Sequence, residues 1–137
     1  MVIIDIKANA GYRINRQILR KKINKYLFDL GLGDVELSLA LVGRRKMRQL
    51  NQVYRNLDRI SDVLAFPQDE GRTPEGRLIL GDIVVCYPCA QEEAITYQEE
   101  IDETVWDFVE HGLGRLVEKW LKFKAQSLKL KTKAKSL

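Results

Sequence analysis

Apolar positions along the chain change period several times, and each change marks an element. Val2–Ala8 (V-I-I-D-I-K-A) reads as a first strand. Asn15 can cap a helix that runs to about Leu30, with Leu19, Ile23, Tyr26, Leu27 and Leu30 on one face, and Gly31 and Gly33 end it. Val35, Leu37, Leu39 and Leu41 alternate with Glu36, Ser38, Ala40 and Val42, which predicts a second strand. Gly43 precedes a short helix over Arg44–Asn56 whose inward positions are expected at Met47, Leu50 and Tyr54. A third strand is expected over Val63–Phe66, then a turn-rich loop over 68–77, then a fourth strand over Leu78–Cys86 broken at Gly81-Asp82. Pro88 suits the first turn of a following helix.

The last long helix starts near Asp102 and reaches Phe123 or beyond. At 100° per residue, Val105, Val109, Leu113, Leu116 and Trp120 share one face, with Trp106 and Val117 at its edge. His111, the single histidine, points the opposite way, and Arg115 lies beside it four residues on. The order β-α-β-α-β-β-α-α predicts an α+β fold: one domain, a mixed four-stranded sheet packed with helices. The domain is expected to end near residue 124. From Ala125 the lysine-rich stretch 125–137 reads as a flexible tail or a basic extension of the helix.

Charge adds a partner class. The net charge of +4 conceals an asymmetry. Between Glu92 and Glu110 stand eight acids and no Lys or Arg; between Lys119 and Leu137 stand seven lysines and no acid. Further basic groups occupy Arg13–Lys25 and Arg44–Arg48. Such clusters suit a polyanion, most often nucleic acid, or else form solvated faces. No apolar run approaches the roughly 18 residues of a membrane span, so no membrane partner is expected. Met1–Lys7 lacks the basic start of a signal peptide, and two cysteines make no disulfide framework, so a cytoplasmic protein is expected.

Residues 51–67 read N-Q-V-Y-R-N-L-D-R-I-S-D-V-L-A-F-P, residues 80–85 read L-G-D-I-V-V, and His111-Gly112-Leu113 follows. This set resembles the YbeY family of bacterial rRNA-maturation endoribonucleases. That family's pattern is N-x-x-Y-R, then T-D-V-L-S-F-P, then G-D-I, then H-G-x-L-H-L-x-G-x-D-H. Asn51, Tyr54, Arg55, Asp62, Val63, Leu64, Phe66, Pro67, Gly81, Asp82 and Ile83 stand in order, with Ser61 and Ala65 replacing Thr and Ser. The resemblance implies an α+β protein acting on single-stranded RNA in ribosome maturation, with RNA and the ribosome as partners. It also implies a zinc held by three histidines and an arginine, here Arg55, that contacts RNA phosphate. The bland alternative for Arg55 is an ion pair with Asp58 or Asp62.

The zinc pattern breaks in this chain. His111 matches the first ligand, but Arg115 stands at the second, Glu118 at the turn glycine and Leu121 at the third. Arginine is a permanent cation with no lone pair to donate. Zinc is implied by the resemblance and is not expected to bind here. His111 is therefore left open as a remnant, an RNA contact or general base, or one ligand of a different metal site. Cys86-Tyr87-Pro88-Cys89 reads first as a coincidental spacing, with Cys86 a small buried residue at a strand end; a redox pair or a zinc site with His111 is the further possibility, since a helix N-terminus lowers a thiol pKa. Asp62 and Asp82 read as structural. Three functions remain: a YbeY-like nuclease of rRNA maturation, an inactive RNA- or ribosome-binding relative of it, and a CxxC zinc or redox protein. The sequence does not set an oligomeric state.

Overall fold

The computed structural model describes residues 1–68 and 71–135 of the 137-residue chain, apart from the side chains of 134 and 135. Its elements run β1 (Val2–Ala8), α1 (Arg16–Asp29), β2 (Val35–Val42), α2 (Arg44–Arg55), β3 (Val63–Pro67), β4 (Leu78–Cys86), α3 (Tyr87–Tyr97) and α4 (Ile101–Lys135). This is the expected α+β order. The sheet order is β1-β2-β4-β3; β1, β2 and β4 are parallel, and β3 runs antiparallel at the edge.

Local chemistry explains the boundaries. Asn15 caps α1, its side chain accepting from the Ile18 amide at 3.1 Å. Asn56 ends α2 in the left-handed region, which asparagine tolerates. Pro88 stands in the first turn of α3. β2 buries every second residue, whereas β4 is buried almost throughout, as suits a central strand with helices on both faces. Between Glu36 and Leu37 the β2–β4 register shifts, so that Leu37 pairs with Gly81 and Leu80 is the extra residue.

The main core lies on one side of the sheet. There Ile4, Ile6, Leu39, Ile83 and Val85 meet Leu19, Ile23 and Leu27 of α1 and Val105, Val109, Leu113 and Leu116 of α4. A smaller cluster on the other side joins Met47 of α2 to Leu64, Val84 and Cys86. Helix α4 lies against β3 and β4. Gly112 permits the close approach, since a Cβ there would stand 2.9 Å from Ile83 Cγ2 and 3.4 Å from Val63 Cγ2. That seating holds His111 over the start of β3.

Two expectations about faces need correcting. Tyr54 is not inward: it is exposed and lies edge-on to Phe66, with ring centroids 5.2 Å apart, while Asn51 is fully buried beside Met47. Leu30 is half exposed because it is the C-cap of α1 rather than part of its inner face. Residues 125–135 continue α4 as helix, the second of the two alternatives for the tail. Residues 136–137 lie outside the described residues, as do Asp69 and Glu70 of the expected loop.

Candidate functional site

A cleft of about 390 Å³ opens where the α2–β3 loop faces α4. Arg55 from the end of α2, Arg59 and Asp62 from the loop, and Asp107, His111 and Arg115 from α4 form its polar lining. Ser61, Val63 and Phe108 are its buried side. On α4 the residues Asp107, His111 and Arg115 follow at i, i+4 and i+8, a single outward stripe. The structure thus brings together Arg55, His111 and Arg115, which lie up to 60 residues apart in sequence.

The loop is pinned from below. The buried Asn51 donates through Nδ2 to the Arg59 carbonyl at 2.9 Å and to Ser61 Oγ at 3.0 Å. Its Oδ1 accepts from Arg55 Nη1 at 3.4 Å, a long contact. Among the described residues Arg55 makes no ion pair with Asp58 or Asp62. Asp58 is taken instead by Arg48 at 2.5 and 3.0 Å, and this pair, helped by Gln52, holds the Asp58 carboxyl below its ordinary range. Arg59 and Arg115 also lack an acid within ion-pair distance among the described residues. Two acids, Asp62 and Asp107, share the lining. Burial, and then the neighbouring charges of Asp62, Glu99 and Asp107, raise the Glu93 carboxyl above its usual range.

Arg59 and Asp107 stand outside any motif. Asp107 was legible only as the i−4 neighbour of His111, and Arg59 only through a loop contact that no local pattern encodes. Asp82 lies outside the cleft lining and accepts from Ser38 Oγ at 2.5 Å across the β2–β4 pair. Asp62, read as structural, is an exposed member of the cleft lining, although its carbonyl does accept the Cys86 amide at 2.9 Å.

The donor set does not fit the implied zinc. The three ligand positions hold His111, Arg115 and Leu121. Because Glu118 stands where a glycine would break the helix, α4 runs on, and Leu121 rides about 15 Å beyond His111 at 1.5 Å per residue. Leu121 is exposed and does not line the cleft. Among the described residues no three His, Cys, Asp or Glu side chains group to hold a metal ion.

The alternative of Cys86, Cys89 and His111 also fails to assemble. Cys86 packs with Met47 on the α2 side of the sheet, whereas α4 covers the other side. Nor is the Cys89 thiol activated. Burial first, then its contact with Cys86, pushes the Cys89 thiol up to about 12, against the expected effect of a helix N-terminus. At pH 8 the thiolate is then on the order of one part in ten thousand. Cys89 is expected to alkylate with iodoacetamide at pH 8 at least a hundredfold more slowly than a free thiol of ordinary pKa, followed by mass spectrometry. An equal rate would refute this.

Fold and cleft together define a single-domain α+β protein with an arginine-lined cleft at the edge of a mixed sheet. The family model described as Endoribonuclease YbeY matches residues 4–118. The chain belongs to the YbeY family. It is 35% identical over 106 residues to Endoribonuclease YbeY of Aquifex aeolicus, covering 74% of this chain and 69% of that one. It is 33% identical over 117 residues to Endoribonuclease YbeY of Persephonella marina, covering 81% and 76%. The solution structure of TM1509 from Thermotoga maritima is similar with a TM-score of 0.57 and 26% identity over 81% of this chain and 69% of that one. No helix among the described residues is long and apolar enough to cross a membrane.

Proposed function

We propose that this chain binds single-stranded RNA of the maturing ribosome, in the cytoplasm, through the cleft of Arg55, and that it does so without zinc. The observation that carries this reading is the convergence of Arg55, Arg59 and Arg115 on one cleft with no carboxylate paired to any of them among the described residues. A guanidinium offers a rigid fork that matches two phosphate oxygens, so an unpaired one facing a cleft suits RNA. The lysines of α4 beyond the body add sequence-independent attraction that weakens with salt. Membership of the YbeY family, whose curated relatives carry the name endoribonuclease, favours a second reading in which RNA is also cut. Under that reading the chemistry must come from cleft residues or from a metal held differently, because the implied three-histidine set is not present.

The test is fluorescence anisotropy with a ten-nucleotide single-stranded RNA at low salt, for wild type and Arg55→Ala. Roughly a tenfold or greater loss of affinity is expected, in line with charge-assisted hydrogen bonds worth about 1.5–3 kcal/mol. Equal affinity would remove Arg55 from the binding site. A gel assay on the same RNA, with added zinc and with chelator, separates the two readings. Cleavage that chelator abolishes would sink the zinc-free reading.

A further inference from the structure

Asp107, His111 and Arg115 of the cleft lie on α4, and the second of the three positions implied for metal carries the Arg115 guanidinium. The consequence for ligand chemistry is a reversal of sign. Arg115 lies one turn beyond His111 on the same stripe of α4, and both line the cleft with Arg55 and Arg59. A cation placed there would meet three permanent positive charges and one imidazole against the two carboxylates of Asp62 and Asp107. An anion would meet up to three forks of N–H donors, none of them held by a carboxylate within 4.0 Å among the described residues.

The two carboxylates in the same lining set the limits of the site. Asp107 precedes Arg115 by eight residues on α4, about 12 Å along the axis at 1.5 Å per residue. Asp62 lines the cleft as well, from the α2–β3 loop. The cleft is therefore polarised along α4, from acid at Asp107 to base at Arg115. A polyanion laid along its whole length is opposed at the acidic end. A single tetrahedral oxyanion at the basic end is not. The space available, about 390 Å³ in total, is ample for one phosphate group and its water.

We infer that the basic end of the cleft is a one-phosphate site in which Arg115, with Arg55 and Arg59, grips the oxyanion where the family pattern implies a metal ion. This rests on the RNA-binding reading for the source of the phosphate, a backbone or terminal group of RNA, but its chemistry can be tested without RNA. Arg115 is exposed on the outer face of α4, so substitutions there leave the core intact.

The decisive experiment titrates inorganic phosphate into ¹⁵N-labelled full-length protein at low ionic strength and follows the arginine Nε–H signals by NMR. Wild type is expected to show saturable shifts at three arginine signals. Arg115→Gln should weaken phosphate roughly ten- to a hundredfold, the effect of losing one charge-assisted bidentate contact. Arg115→Lys should recover part of that loss, since it restores charge but not the fork. Absence of saturable shifts in wild type, or equal phosphate affinity in Arg115→Gln, would overturn the site. So would one equivalent of tightly bound zinc that competes with phosphate in wild type. The ten-nucleotide RNA in parallel separates the two claims. RNA bound equally well by wild type and Arg115→Gln removes Arg115 and spares the RNA reading, whereas no RNA binding by wild type removes that reading while the phosphate titration still decides the site.

Discussion

Gly81→Ala should destabilise this protein by roughly 3–5 kcal/mol, the sum of backbone strain and overpacking. Gly81 sits at the β2–β4 register shift with φ +143°, a conformation that L side chains rarely adopt. A Cβ built there falls 2.4 Å from the Phe66 carbonyl oxygen, 2.9 Å from Leu116 Cδ2 and 3.0 Å from Pro67 Cα. Two of these neighbours are backbone atoms of β3 and cannot rotate away. Relief requires β3 to move off β4, and α4, which is packed over both, to move with it. Typical domains hold 5–15 kcal/mol, so the variant should lose a large share of its stability or fail to fold. Urea unfolding followed by tryptophan fluorescence measures this, and a midpoint equal to wild type would mean that the bulge relaxes freely.

Asn51→Ala should cost about 2–4 kcal/mol, seen as a fall in Tm of roughly 10 °C. The substitution removes a fully buried amide and leaves the Arg59 carbonyl and the buried Ser61 hydroxyl without the donor they share. Those two groups belong to the loop that carries Arg59 and Asp62 into the cleft. Stability and RNA affinity should therefore fall together, although Asn51 itself is buried away from solvent. Asn51→Asp is the sharper variant, being the same shape with no donor, and it should be no better than alanine. A Tm within about 2 °C of wild type for Asn51→Ala would show that water replaces the amide at no cost.

The same residue marks the boundary of what the sequence discloses. Alternation in β2, the Asn15 cap and the apolar stripe of α4 are local patterns, and the structure realises each one. The inner face of α2 is different. Hydrophobicity alone rotates that helix to put Tyr54 inside, but the helix buries Asn51 because a carbonyl eight residues on needs a donor. That partnership is tertiary and has no period. In the cleft, Arg55, His111 and Arg115 were legible from motif order and helical spacing. Arg59 was not, because a loop position is set by what pins the loop. The tail offered no signal to choose between its alternatives: lysine is a fair helix former, and no apolar stripe is required of a helix that leaves the body.

Helix α4 is a cantilever. Val117 is its last buried residue among the described ones and Trp120 still packs against the main core, so the 15 residues from 121 to 135 run about 22 Å further at 1.5 Å per residue. The root of the beam is the stretch that carries His111 and Arg115 along the cleft. A load on Lys131 acts about 24 Å from Arg115, so a polyanion grasping the helix there exerts a bending moment at the place where the cleft is built. The same polyanion, by neutralising lysines that repel one another along the helix, stiffens the arm that transmits the load.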